Sequence, residues 1–333
     1  MQVLRRTFAA MGDVHLSVGD DMAQQLEHAG CGPDISHWHC GVDTAVFNSS
    51  RRDVSTAKNS LRARLSGGSP TLPIVIYCGR IAPEKRLELS APVMCKLAES
   101  IRAAAAGGGT RRGVSSVSAS APAVAFVVVG QGPSLAPLKA LMAECGPTYS
   151  LTEAPGAVPT LLTAWPTGGI GVNPPGPPAC ITTFLGQVPH SPFLGSLYAS
   201  ADAFFSPSTC ETLGQVFQEA MAAGTVPVGA NIGGVPEVFD HGQEGFLFEP
   251  DDVDGAAAGL MSALADRAAL LGRAAPALLP EALLRGGDKN RADRARDRVV
   301  SKSWGAAYAQ AEAAYFRALA TRWPYRVNRF RAK

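Results

Sequence analysis

The chain has 333 residues, 46% of them hydrophobic, and its 30 Lys+Arg stand against 28 Asp+Glu for a formal net charge of +2. That length allows two compact domains, or one large one, with a sizeable core. The charge balance excludes a global field that recruits nucleic acid, and no apolar run is long enough to predict a membrane-spanning helix.

The chain in order reads as follows. Residues 1–10 end a helix, 14–18 form a short strand, and 20–29 have helical spacing with Gly30 as a C-cap. The stretch 31–47 is strand-like and ends in a Gly-Val-Asp turn. From residue 73 apolar strands alternate with helices. The strands are 73–79, 124–130, 180–186, 203–208, 226–231 and 244–250. The helices are 87–106, 134–145, 194–201, 213–224, 252–271 and 303–321. This alternation predicts an α/β, doubly wound, Rossmann-like parallel sheet covered on both faces.

Two stretches break the rhythm. Residues 107–123 are rich in Gly, Ser and Ala, and residues 146–179 hold eight Pro and six Gly. Both read as disordered insertions between a helix and the next strand. Residues 1–40 then read as the remnant of a preceding domain, 41–302 as one Rossmann-like domain, and 303–333 as a C-terminal helix with a basic and aromatic tail.

Seven Cys at 31, 40, 78, 95, 145, 180 and 210 show no CxxC spacing. Neither a zinc knuckle nor a disulfide framework is expected, and reduced thiols suit a reducing compartment. The N-terminus offers no secretory apolar region of useful length, and a transit peptide is left open. Of the six His, only His37 and His39 share a strand face, and no third ligand is visible, so structural histidines are expected. GxSxG, Walker A and HExxH are absent, which leaves nucleophilic hydrolysis and P-loop chemistry without support.

Four segments carry chemistry. Gly79-Arg80-Ile81-Ala82-Pro83-Glu84-Lys85 follows the first buried strand. The carboxyl edge of such a sheet is where ligands bind, Gly79 permits close approach, and Arg80 and Lys85 suit a diphosphate. Two solvated surface cations are the plain alternative. Gly130 and Gly132, after the next strand, look like a dinucleotide fingerprint, but Leu135 stands where the third Gly is needed. That weighs against a dehydrogenase, while the glycines still allow a nucleotide near the backbone.

The third segment is 208–224. A helix expected from about Leu213 turns the amides of Thr212, Leu213 and Gly214 into an anion site. Glu211 lies in the loop before it and Glu219 within it, where a carboxylate can accept from ribose hydroxyls. Two ordinary helix-surface acids are the alternative. The fourth, 233–252, opens with a Gly-Gly turn, and its Asp252-Val253-Asp254 reads as a helix cap rather than a metal-binding DxD. The tail from Arg317 to Lys333 holds six basic residues, no acid, and Trp323, Tyr325 and Phe330. It fits an anionic membrane surface, with nucleic acid or a solvated helix as alternatives.

Taken in this order, these four segments resemble the donor-binding half of glycosyltransferase family 4, retaining enzymes with the GT-B fold. The resemblance spans about 13–315 without the two insertions. Segments 41–53, 62–88 and 304–323 resemble the branch that moves sulfoquinovose from UDP to diacylglycerol in sulfolipid synthesis. The resemblance implies that Arg80 and Lys85 neutralise the leaving diphosphate. It also implies that Glu211 meets the donor sugar, Glu219 the ribose, the backbone near Val188 the uracil, and the amides of Thr212, Leu213 and Gly214 the phosphates. It implies no metal and no cofactor, the UDP-sugar being a substrate, and fixed cations with a helix N-terminus supply the charge stabilisation. It implies a lipid acceptor and a plastid, membrane-associated location, or a cytoplasmic one if the finer resemblance fails. A GT-B enzyme also has an N-terminal acceptor domain, of which 1–40 resembles only the end. A catalytically silent nucleotide-sugar-binding module, or a family 4 transferase with another donor and acceptor, is the alternative.

Overall fold

A computed structural model of the chain describes residues 14–31, 35–53, 60–107, 121–150, 178–271 and 287–322. The helix end at 1–10, most of the two expected insertions and the tail from 323 lie outside these residues.

Two short parallel strands come first among the described residues, β1 (His15–Ser17) and β2 (Ile35–His37), with α1 (Asp20–His28) between them. The N-cap of α1 is Gly19, which has no side chain to offer its amides. The Glu237 carboxylate does so instead, accepting from the amides of Asp20 at 2.7 Å and Asp21 at 2.8 Å. After the one-turn α2 (Leu61–Leu65), β3 (Ile74–Cys78), α3 (Ser90–Gly107), β4 (Val124–Val129), α4 (Leu135–Cys145), β5 (Thr148–Ser150) and β6 (Cys180–Gly186) follow. Then come α5 (Pro192–Ser200), β7 (Ala203–Ser206), α6 (Gln215–Ala222), β8 (Val226–Ala230), α7 (Val235–Val238), β9 (Phe246–Phe248) and α8 (Val253–Leu271). Two helices close the described chain, α9 (Arg291–Val300) and α10 (Trp304–Arg322).

The main sheet runs β5-β6-β4-β3-β7-β8-β9, and each adjacent pair is parallel. This is the doubly wound arrangement the alternation predicts. Burial alternates with period two. Val75, Tyr77, Phe126, Val128 and Phe205 face the core under α3, α4 and α8, while Ile74, Ile76, Val127 and Phe204 face the core under α5, α6 and α9. Strands buried on both faces must be apolar throughout, which explains VAFVVV at β4. The chain lays down β4, β6 and β5 on one side of β3, then returns to place β7 on the other. The switch point therefore falls between β3 and β7.

The amino edge below that switch is fixed by Asp202. Its carboxylate accepts from Arg62 Nη2 at 2.8 Å, Arg52 Nη2 at 2.7 Å and the Ile74 amide at 2.9 Å. Burial pushes this carboxyl up, but the two guanidinium groups outweigh it and hold it well below the usual carboxylate range.

Several elements depart from expectation. β5 lies inside the stretch read as an insertion from 146. Its three residues are too few and too polar to signal a strand, and pairing with β6 makes them one. α9 was not expected because its sequence is mostly charged, yet Ala292, Ala295 and Val299 are buried, and Arg291 pairs with Asp266 at 2.5 Å.

Candidate functional site

The loops at the carboxyl ends of β3, β4, β6, β7 and β8 meet at the switch point, where open α/β sheets bind ligands. They are stitched by backbone hydrogen bonds. The Gly79 amide donates to Val129 O at 3.0 Å, the Ile81 amide to Gln131 O at 2.9 Å and the Gly130 amide to Gly186 O at 2.7 Å. This stitching explains the glycines after β4. Gly130 has φ +140°, and a Cβ there would strike Gly79 O, while one at Gly132 would strike Ile81 O. Their packing partner is the backbone of the neighbouring loop. Gly233 and Gly234 act alike, their absent Cβ atoms leaving room for the carbonyls of Glu211 and Thr212.

Arg80 and Lys85 are separated in partnership. Arg80 is 68% exposed and reaches Glu84 at 3.7 Å. Lys85 points inward, with Nζ 2.6 Å from Glu211 Oε1. The two cations are thus drawn to different acids: Lys85 is held at the switch point by Glu211, and exposed Arg80 pairs with Glu84. The Arg80 carbonyl is fixed by the Tyr77 hydroxyl, which donates to it at 2.7 Å. The β7 loop is tied to the same turn, since the Thr209 amide and the Ser208 hydroxyl both donate to Glu84 O, at 3.1 and 3.3 Å.

The helix expected from Leu213 begins at Gln215 instead. Gly214 takes the left-handed conformation, φ 69° and ψ 55°, and turns the chain into α6. The amides of Thr212, Leu213 and Gly214 thus lie in the loop ahead of the helix, where they donate to no acceptor among the described residues. Together with the positive end of α6 they offer donors of the kind an anion can use. Glu211 sits at its rim and Glu219 in the second turn of α6.

Glu219 is partly buried. Burial raises its pKa, and the Tyr198 hydroxyl, which donates to Oε2 at 2.9 Å, opposes that rise. Val188 lies in the loop after β6, partly buried against the α5 and α6 core. Two residues on, His190 Nε2 stands 3.2 Å from Asp43 Oδ2, a hydrogen bond that lowers the Asp43 pKa. Arg80, Lys85, Glu211, Glu219, Val188 and the 212–214 amides therefore share one sheet edge. Sequence reasoning missed Tyr77, Tyr198, His190 and Asp43. The two tyrosines sit in apolar runs that read as core, and nothing in their spacing marks their hydroxyls.

Among the described residues no three His, Cys, Asp or Glu side chains are grouped to hold a metal ion. Asp252 caps α8, with Oδ1 accepting from the Gly255 amide at 2.9 Å, and Asp254 pairs with Lys96 at 2.9 Å. The 252–254 triplet is a helix cap, as its composition predicted.

Residues 181–276 match the family described as glycosyl transferases group 1. The seven-stranded sheet domain is a Rossmann-like α/β fold, shared with one half of the GT-B fold. The solved structure of sucrose-phosphate synthase from Thermosynechococcus elongatus superposes with a TM-score of 0.62 at 20% identity, over 96% of this chain and 62% of that one. Anabaena Alr3699/HepE in complex with UDP does so with a TM-score of 0.60 at 17% identity, over 94% and 67%. In sequence, the chain is 32% identical over 272 residues to sulfoquinovosyl transferase SQD2 of Arabidopsis thaliana, covering 80% of this chain and 39% of that protein. It is 45% identical over 93 residues to glycogen synthase of Mycobacterium tuberculosis, covering 28% and 22%. The chain thus spans about two fifths of the plant relative or less of each curated relative named here.

Proposed function

We propose that the chain is the donor-binding part of a retaining family 4 glycosyltransferase that moves a sugar from UDP to a lipid, with sulfoquinovose and diacylglycerol as the specific pair. One observation carries the reading. A cation, Lys85, an acid bonded to it, Glu211, and three loop amides at a helix start meet at the switch point. A leaving diphosphate needs fixed positive charge where its own charge develops, and such groups supply it without reorganisation. Lys85 and the 212–214 amides meet the phosphates, joined by Arg80. Glu211 accepts from the donor sugar, Glu219 from the ribose, and the backbone at Val188 meets the base. In this reading no metal takes part, and activity withstands chelators.

The choice of donor and acceptor rests on the likeness to the Arabidopsis protein, whose name states sulfoquinovosyl transfer. A place at the plastid membrane surface, with the basic and aromatic tail in contact, belongs to the same reading. The test is thermal unfolding with UDP-sulfoquinovose, UDP-glucose and UDP, beside Glu219→Ala. A ligand at a hundred times its Kd adds about 2.7 kcal/mol. Selective stabilisation by UDP-sulfoquinovose, lost in the variant, is expected. A shift with UDP-glucose alone retains the family and removes the sulfolipid donor. Binding without transfer to diacylglycerol in vesicles turns the reading into a nucleotide-sugar-binding module.

A further inference from the structure

Glu219 cannot act alone in the role given above. A carboxylate that receives two ribose hydroxyls must be ionised and must aim a free oxygen into the crevice. Both conditions are under strain in this fold. Burial disfavours the charged form and raises the carboxyl's pKa, and a side chain on the second turn of a helix has several rotamers available.

One neighbour meets both conditions. Tyr198 is fully buried on α5, and its hydroxyl donates to Glu219 Oε2 at 2.9 Å. The bond occupies one carboxylate oxygen and leaves Oε1, which has no protein partner among the described residues, to face a ligand. Tyr198 is itself fixed by aromatic neighbours. Phe47 meets its ring edge-on at 5.5 Å and Phe204 packs at 5.9 Å. The phenol is therefore a rigid donor aimed at one atom. Its other polar neighbour is Cys78 at the end of β3, a thiol that burial pushes up, so it stays neutral. The remaining titratable group near Glu219 is His190, on the β6 loop, which favours the ionised carboxylate and is itself bonded to Asp43. Cys78, Tyr198 and His190 come from β3, α5 and the β6 loop, so three elements converge on one acid of α6.

We propose that Tyr198 is the positioning residue of the donor site: its hydroxyl holds Glu219 ionised and aims Oε1 at the donor's ribose. The inference rests on the ribose reading of Glu219 and adds to it a residue that touches no substrate.

The experiment uses the full chain, Tyr198→Phe, which keeps the ring and its packing, and Glu219→Gln. Two measurements are made between pH 5.5 and 8.5, with thermal unfolding as a check on folding. The first follows the Glu219 carboxyl by carbon NMR without nucleotide, assigned by its loss in Glu219→Gln. The second is UDP affinity by calorimetry. In Tyr198→Phe the Glu219 titration moves to higher pH. UDP binding at the acid end of that range weakens about tenfold, the size of a lost hydrogen bond to a charged group, and recovers as pH rises. For turnover, KM for the nucleotide sugar rises at low pH while kcat holds. A Glu219 titration unchanged in Tyr198→Phe overturns the proposal and leaves the ribose reading standing. An equal loss of binding at every pH also overturns it, since that marks a packing role only. A shifted titration with undiminished UDP binding in Glu219→Gln removes the ribose reading, and the proposal with it.

Discussion

Lys85 Nζ lies 2.6 Å from Glu211 Oε1, and the two side chains are only 19% and 12% exposed. The pair bridges the loops after β3 and β7, across the point where the strand order reverses. As placed here each charge answers the other, so under the proposed function a diphosphate would compete with Glu211 for Lys85 and leave the carboxylate free to turn to a sugar hydroxyl. Truncating one partner of a desolvated pair costs about 2 kcal/mol or more. Lys85→Ala is expected to weaken UDP binding by at least that much. Glu211→Gln strengthens UDP binding, because no carboxylate competes for Lys85, and lowers turnover of the nucleotide sugar. Calorimetry and steady-state kinetics on both variants check this, and equal losses of UDP affinity would contradict it.

Asp202 makes a prediction about stability rather than binding. It is 1% exposed and pinned by Arg62 and Arg52. Asp202→Asn leaves two buried guanidinium groups facing a neutral amide, at a cost of about 3–5 kcal/mol. The folded pKa is depressed relative to the unfolded chain, so the contribution is present above the ordinary carboxylate range and lost as pH falls below it. Urea unfolding of parent and variant at pH 7 and at pH 3 tests the sign. The gap between them narrows at pH 3, and a gap that widens would sink the assignment.

Much of this was legible in the sequence, and the reasons are physical. Strands buried on both faces must be apolar, so β3, β4, β6, β7 and β8 announce themselves. Lys85, Glu211 and Glu219 stand out because charge at the carboxyl edge of such strands is rarely idle. What the sequence hid was pairing. Nothing along the chain says that Lys85 meets Glu211 rather than sharing an anion with Arg80, because the contact spans 126 residues. Gly130 and Gly132 read as a nucleotide cradle because glycine marks close approach, without saying what approaches. Here it is the backbone of residues 79–81. The start of α6 was misplaced by two residues since only the φ of Gly214 decides it.

The cysteines, read as reduced thiols, include one close pair. Cys95 and Cys145 stand with their sulfurs 3.4 Å apart, bringing α3 and α4 together. The hydrogen bond with Cys145 pulls the partly buried Cys95 thiol down to about 7. Burial pushes Cys180 up to about 12. The thiolate is the nucleophile, so alkylation of Cys95 by iodoacetamide rises steeply through about pH 7 while Cys180 stays unmodified in the folded chain. Cys145→Ala moves the Cys95 profile to higher pH. Site-resolved mass spectrometry over pH 6–9 reads both, and a Cys95 profile unmoved by the variant would show that Cys145 does not set it.

Glu237 connects the first described helix to the site. It caps α1 across 217 residues through the Asp20 amide, and its own helix, α7, is entered through Gly233 and Gly234, whose backbone rests on Glu211 and Thr212. The Gly234 amide also donates to Glu211 O at 3.0 Å. Glu237→Ala removes the cap of α1 at a cost of about 1 kcal/mol. Because α1 buries no residue of its own, the loss is local. Hydrogen exchange at residues 20–23 speeds up while β3 keeps its protection. The loop after β8 loses an anchor at one end, so UDP binding weakens by a few-fold and no more. If β3 exchanges as fast as α1 in the variant, the cap is part of the cooperative core rather than a tether on it, and the separation of residues 14–31 from the sheet domain is wrong.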